Sequence, residues 1–181
     1  MESTEAIVAD GWQENHSGPV IPAFNPTRFR HAGSDLLSEG DIREIQQVQA
    51  MYGHAVDWPD QSLLRFVFSQ DAVFDGTPCG SECFRGLPAI CEFFELGKPP
   101  HPKSHQMTNC WIYEQDGHVF ARAKWHVLSQ HGRVLCVGDY DDTLVRTAEG
   151  WRIGYRVVTP RDPEGGMSEE AVREVAVGCA T

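Results

Sequence analysis

Four side chains in this 181-residue sequence are of a type and placement suited to moving a proton without a cofactor: Tyr52, Asp57, His105 and His126. A carboxylate beside a histidine in an apolar cavity makes a general base. The carboxylate fixes the imidazole tautomer and stabilises the imidazolium formed when a proton leaves a carbon or a hydroxyl. Burial holds the histidine neutral at rest, the state a base needs. Tyr52 and Asp57 end one predicted helix. Five positions correspond to ~500° of rotation, so the two do not stack on one line, yet both can border a pocket at the helix end. Asn109 shares a predicted strand face with His105, and its amide suits either a substrate oxygen or a cross-strand bond. Arg156 is the candidate clamp for an anion or an oxygen. It belongs to a set of strand arginines and lysines that can also pair across the sheet with Asp139, Asp141 and Asp142. Trp58, Phe74, Phe94, Trp111 and Trp125 are candidates for a pocket wall, which favours a hydrophobic, aromatic or polycyclic small molecule as the partner.

Other chemistries find no seat. The six cysteines include one close pair, Cys79 and Cys83, with no second pair to complete a zinc site, so they read as reduced, small buried or half-buried thiols. The aspartates at 139, 141 and 142 come without the histidines of a metal set, and the expectation is no metal. No G-x-G-x-x-G follows a strand and no P-loop is present, so no nucleotide cofactor is expected; nor is there a G-x-S-x-G elbow. Lys and Arg number 15 against 26 Asp and Glu, a net charge of −11, which repels polyphosphates and anionic membrane surfaces. No run approaches the ~20 apolar residues of a membrane span. The start lacks a basic segment followed by an apolar one, so the chain is expected to carry no secretory signal and to be cytoplasmic. Hydrophobic residues make up 41%, enough for a core.

The elements that must position these residues follow from periodicity. Residues 1–35 carry no period and read as an N-terminal arm. Ser38 and Asp41 resemble a helix cap, and Ile42, Ile45, Val48, Met51/Tyr52 and Ala55/Val56 recur at steps of three and four, predicting a helix near Gly40–Asp57 that Pro59 ends. A second helix carries Leu63, Leu64, Phe66 and Val67. Ala72–Asp75 is a short strand, and a third helix begins at Pro88. From residue 104 the pattern changes to four strands, at 104–113, 118–128, 134–145 and 151–159, joined at Asp116-Gly117, His131-Gly132 and Glu149-Gly150. The sum is an α+β domain over 36–160, with three N-terminal helices packed on a curved antiparallel sheet, followed by a tail over 161–181 in which a short helix is expected at 168–177. In the first long strand His105, Met107, Asn109, Trp111 and Tyr113 share a face. In the second, Arg122, Lys124 and His126 oppose an apolar face of Val119, Ala121, Ala123, Trp125 and Val127. Should the apolar face meet the helices, His126 lies outside the pocket.

The series YGHAVDWPD, DAVFDG, FRGLPAICEFF, SHQMTN and GDYDDTLVRTAEGWRIGYRVV, in that order over residues 36–160, resembles the SnoaL-like families of the nuclear transport factor 2-like superfamily. The resemblance implies a conical, barrel-like α+β fold with a deep pocket between helices and sheet. It implies either a cofactor-independent lyase or isomerase or a non-catalytic ligand-binding or oxygenase-associated assembly module. It also implies a homodimer or higher homo-oligomer paired through the outer sheet face. Asp57 and His105 match the Asp–His dyad of the dehydratase and dehydrohalogenase branches, Tyr52 a pocket tyrosine of the bile-acid dehydratase branch, and His126 the second histidine of scytalone dehydratase. The reaction implied is dehydration, loss of a small fragment such as formaldehyde, or isomerisation. The two water-positioning tyrosines of scytalone dehydratase fall near Val56 and Gly76, so that enzyme's own reaction is not implied.

Overall fold

Ser38 and Asp41 start the first helix by bonding to each other. The Ser38 backbone N–H donates to Asp41 Oδ2 (2.9 Å), the Ser38 hydroxyl to the same oxygen (2.6 Å), and the Asp41 backbone N–H to Ser38 Oγ (3.2 Å). This reciprocal cap satisfies donors that the first turn leaves without intrahelical partners. The resulting helix, α1, runs Glu39–Asp57, and Ile45, Val48, Gln49, Tyr52, Ala55 and Val56 form its buried stripe. The computed structural model describes residues 29–31, 37–57, 61–95, 102, 104–129 and 131–161. Most of the expected arm, Trp58 and the expected helix at 168–177 lie outside the described residues.

The second expected helix is a six-residue 3-10 helix, Gln61–Phe66. The chain then extends, because the Phe66-Val67-Phe68 run suits a half-buried strand better than a helix. The strand that follows is longer than periodicity indicated. Strand β1 is Phe29–His31, β2 Phe68–Asp75 and β3 Cys83–Arg85; helix α2 is Leu87–Phe94; strands β4 Ser104–Gln115, β5 His118–Leu128, β6 Val134–Thr147 and β7 Gly150–Pro160 complete the described chain. The β4–β5 turn is the expected Asp116-Gly117 pair, both at positive φ (55° and 79°), the geometry that a two-residue hairpin needs.

The sheet order is β1-β4-β5-β6-β7-β2-β3, and all neighbours are antiparallel except β2 and β7. The sheet is curved and unclosed, and the fold is α+β as expected. Two strands beyond the expected five, β1 and β3, form its edges. The apolar face of β5 meets the helices: Val119, Ala121, Ala123, Trp125 and Val127 are all buried. This decides the orientation of every paired strand, because residues opposite each other in an antiparallel ladder point to the same side.

Register shifts between strands alter which residues reach the interior, and the one in β4 bears on the expected site. Thr108 pairs with Lys124 and Trp111 with Arg122, so β4 has one residue more than β5 between those points. The extra residue forms a bulge with Asn109 at φ 52°. A bulge inverts the alternation beyond it. His105 and Met107, opposite Val127 and Trp125, therefore point inward, whereas Trp111 and Tyr113, opposite Arg122 and Phe120, point outward. The expected common face of His105, Met107, Asn109, Trp111 and Tyr113 is broken at the bulge.

Candidate active site

Asp57, the last residue of α1, grips His105 with both carboxylate oxygens. The His105 backbone N–H donates to Oδ2 (2.8 Å), and the imidazole Nδ1 lies 2.6 Å from Oδ1. A carboxylate only accepts, so Nδ1 carries the proton, and in the neutral ring the lone pair is on Nε2. The side chains are 10% and 22% exposed, shielded from bulk water but reachable. The first bond holds the strand against the helix end, and the second orients the ring. The helix can come this close because residue 53 is glycine. A Cβ there would lie 2.7 Å from the His105 carbonyl oxygen. Glycine within a helix costs about 1 kcal/mol relative to alanine, and here that cost makes room for the strand. An interior helical glycine in YGHAVD is the signal for this contact, and sequence reasoning did not use it.

Tyr52 lies five residues before Asp57 on α1 and is 1% exposed. Its ring meets those of Phe68, Phe94, His105 and Tyr140 edge-on, at centroid distances of 6.0, 6.1, 6.4 and 5.3 Å. The Tyr140 hydroxyl donates to the Tyr52 oxygen at 3.5 Å. Tyr52 therefore keeps its own proton for another acceptor. Burial pushes the Tyr52 phenol above its ordinary range, against the opposing charge of Arg156, and pushes Tyr140 further still. Both are neutral phenols at physiological pH: hydrogen-bond donors, not bases.

Beneath these rings lies Arg156, completely buried. Its Cζ is 4.0 Å from the Tyr52 centroid and 4.2 Å from that of Tyr140. Nε donates to Asp142 Oδ1 (2.7 Å) and Nη2 to Asp142 Oδ2 (2.6 Å) and to Gln49 Oε1 (3.0 Å). Gln49 Nε2 closes the triangle by donating to Asp142 Oδ2 (2.6 Å). Desolvation opposes the charge on Arg156, but Asp142 outweighs it and the guanidinium stays protonated. Arg156 is thus largely committed to an internal ion pair, and only Nη1 lacks a partner among the described residues. Gln49, on the apolar stripe of α1, was legible as a polar residue at a core position; Tyr140 carried no such mark.

The other expected site residues divide by face. Phe74 and Phe94 are buried in the core with ring centroids 5.3 Å apart, and Phe94 abuts Tyr52. Trp125 points inward and stacks on Tyr140 at 5.7 Å. His126 lies on the outer face with Arg122 and Lys124, so the structure does not bring it to the dyad; inward orientation of the apolar face excludes it. Trp111 lies outside as well, stacked on Tyr113 at 4.7 Å, because of the bulge. Asn109 is exposed within that bulge. Asp139 and Asp141 share the outer face, the former with Lys124 and Arg161 and the latter with Arg122 (2.5 Å), and serve as cross-strand partners.

Residues 40–157 match the family model described as a SnoaL-like domain. Among solved structures, a candidate aromatic ring hydroxylase from Novosphingobium aromaticivorans is 26% identical, with 75% of this chain and 98% of that one covered, at a TM-score of 0.60. An NTF2-like protein with a cystatin-like fold from the same organism is 22% identical over 75% of this chain and 88% of that one (TM-score 0.61). A protein of unknown function with a cystatin-like fold from Nostoc punctiforme is 17% identical over 72% and 98% (TM-score 0.62). No curated protein matches the chain.

Proposed function

From the premise that the chain belongs to the SnoaL-like domain family, which includes cyclases and isomerases, we propose that it is a cofactor-independent lyase or isomerase acting on a hydrophobic, aromatic or polycyclic small molecule. The observation that carries this reading is the double grip of Asp57 on His105. His105 Nε2 takes a proton from the substrate, and Asp57 stabilises the imidazolium that results. Tyr52 donates its hydroxyl proton as a hydrogen bond to an oxygen on which charge develops. Arg156 does not touch the reacting atoms; it positions Tyr52 and Tyr140 from below. Proton removal is followed by loss of water or a small fragment, or by return of the proton to another carbon. The likeness to a candidate aromatic ring hydroxylase supports an aromatic substrate.

Solvent deuterium incorporation into a panel of hydrophobic carbonyl compounds, followed by NMR, measures the base whatever the final product. His105→Ala and Asp57→Asn are each expected to lower exchange at least ~100-fold while circular dichroism stays unchanged. Full exchange in either variant contradicts the reading. Full retention of ligand affinity without any exchange in the wild type favours a binding module instead. Pairing of two copies through the outer sheet face belongs to the same proposal, and a monomer by sedimentation at micromolar concentration contradicts that part.

A further inference from the structure

We propose that the indole N–H of Trp125 donates a hydrogen bond to a carbonyl or enolate oxygen of the substrate, so that the site selects hydrophobic ketones. The inference rests on the dyad reading for its chemistry but not for its binding. Trp125 is 6% exposed, and its Nε1 is buried with no hydrogen-bond partner among the described residues. A buried indole N–H ordinarily finds an acceptor, and leaving it without one is costly. A phenylalanine would fill most of the same space without that cost.

The indole is held firmly. Across the ladder stands Gly138, where a Cβ would lie 2.4 Å from the ring's Cζ2 and 2.5 Å from Cε2, the atom bonded to Nε1. Tyr140 stacks on the ring at an interplanar angle of 28°. The ring also belongs to the dyad's surroundings. Trp125 pairs with Met107 and Val127 with His105, so Trp125 and His105 are diagonal neighbours on the inner face of β4 and β5. The rings of Tyr140 and Tyr52 connect Trp125 to His105.

The surrounding groups share one chemical bias. Arg156 Nη1, under the same two tyrosines, is a second buried donor without an acceptor among the described residues. The Tyr52 hydroxyl proton is likewise not used by Tyr140. A cluster of aromatic rings with an excess of donors suits an apolar molecule that brings an acceptor oxygen. In the step this site would assist, the C–H bond next to the carbonyl breaks. The proton passes to His105 Nε2 and the electron pair delocalises onto the oxygen, which Trp125 holds. Return of the proton to another carbon, or departure of a β-substituent with its electron pair, completes the reaction.

The test uses 2-acetylnaphthalene and its isostere 2-isopropenylnaphthalene, which has the same shape and no acceptor. Calorimetry on the wild type should show about tenfold tighter binding of the ketone. The Trp125 indole ¹H–¹⁵N signal, assigned through bonds, should move downfield with the ketone and not with the isostere. Trp125→Phe should abolish the preference while retaining the isostere's affinity, and His105→Ala should keep the preference. Equal affinities, no binding of the ketone, or an unmoved indole signal overturns the proposal, and the signal in the wild type decides even if the variant does not fold. Loss of exchange in the dyad variants without any ketone preference leaves the dyad standing and removes the donor. The reverse pattern removes the dyad and keeps the donor.

Discussion

Gly53 sets the distance between Asp57 and His105. In a helix, alanine is intrinsically favoured over glycine by about 1 kcal/mol. At this position a methyl group would meet the His105 carbonyl oxygen at 2.7 Å, and backbone must give way. The clash outweighs the propensity gain because overpacking a close backbone contact typically costs about 1–3 kcal/mol. Gly53→Ala is therefore expected to lower the melting temperature and to reduce proton exchange more than tenfold as β4 moves off the helix end. The His105 imidazole ¹⁵N shifts would report the weakened Nδ1 bond. A variant as stable and active as the wild type would show that the close approach is incidental.

At the scale of the element, α1 is tied at both ends by its own carboxylates, Asp41 and Asp57. Asp41 accepts from Ser38, from the Trp151 indole N–H (2.8 Å) and from Arg146, joining the helix start to β6 and β7. The Ser38 hydroxyl, followed by the Trp151 indole, holds the Asp41 carboxyl well below the usual carboxylate range. A depressed folded-state pKa contributes stability above the unfolded value of about 4, and that stability is lost as the pH falls toward the folded one. Asp41→Asn should lower the melting temperature at pH 7. It should also flatten its decline below pH 4 relative to wild type, as followed by thermal melts across pH. Parallel curves for the two proteins would contradict the assignment.

This element scale is also where sequence reasoning succeeded most. The α1 pattern, the Pro88 helix start and the Asp116-Gly117 hairpin are local signals, set within a few residues by periodicity and turn chemistry. It failed at Trp111 for an equally physical reason. One bulged residue at Asn109 reverses the faces of everything after it, and asparagine tolerates positive φ without being reserved for it. The same pattern that placed His105 inward therefore placed Trp111 on the wrong side.

At the scale of the whole molecule, the Arg156–Asp142–Gln49 triangle joins β7, β6 and α1 inside the core. Breaking a buried ion pair by removing one partner costs about 3–5 kcal/mol, because the other charge is left without compensation. Replacing both with apolar groups is often close to neutral. Arg156→Met should thus destabilise by about 3–5 kcal/mol in chemical denaturation, and the double variant Arg156→Met/Asp142→Leu should recover much of that loss. The recovered fold should still exchange protons more slowly than wild type, since Tyr52 and Tyr140 have lost the cation beneath their rings. Equal stability of the single and double variants would show that the pair is not coupled.

By itself the sequence determined most of the elements, the residue types proposed for proton transfer, and the motif order that marks the family, because each of these is written in short-range spacing. Only the tertiary structure decided which side of the sheet is the interior. That choice left Asp57 on His105, His126 outside, and Arg156 committed to Asp142. Alternation describes two faces and not which one is covered. The covering depends on helix packing, on a parallel contact between the sequence-distant strands β2 and β7, and on bulges such as the one in β4, whose effect propagates along a strand.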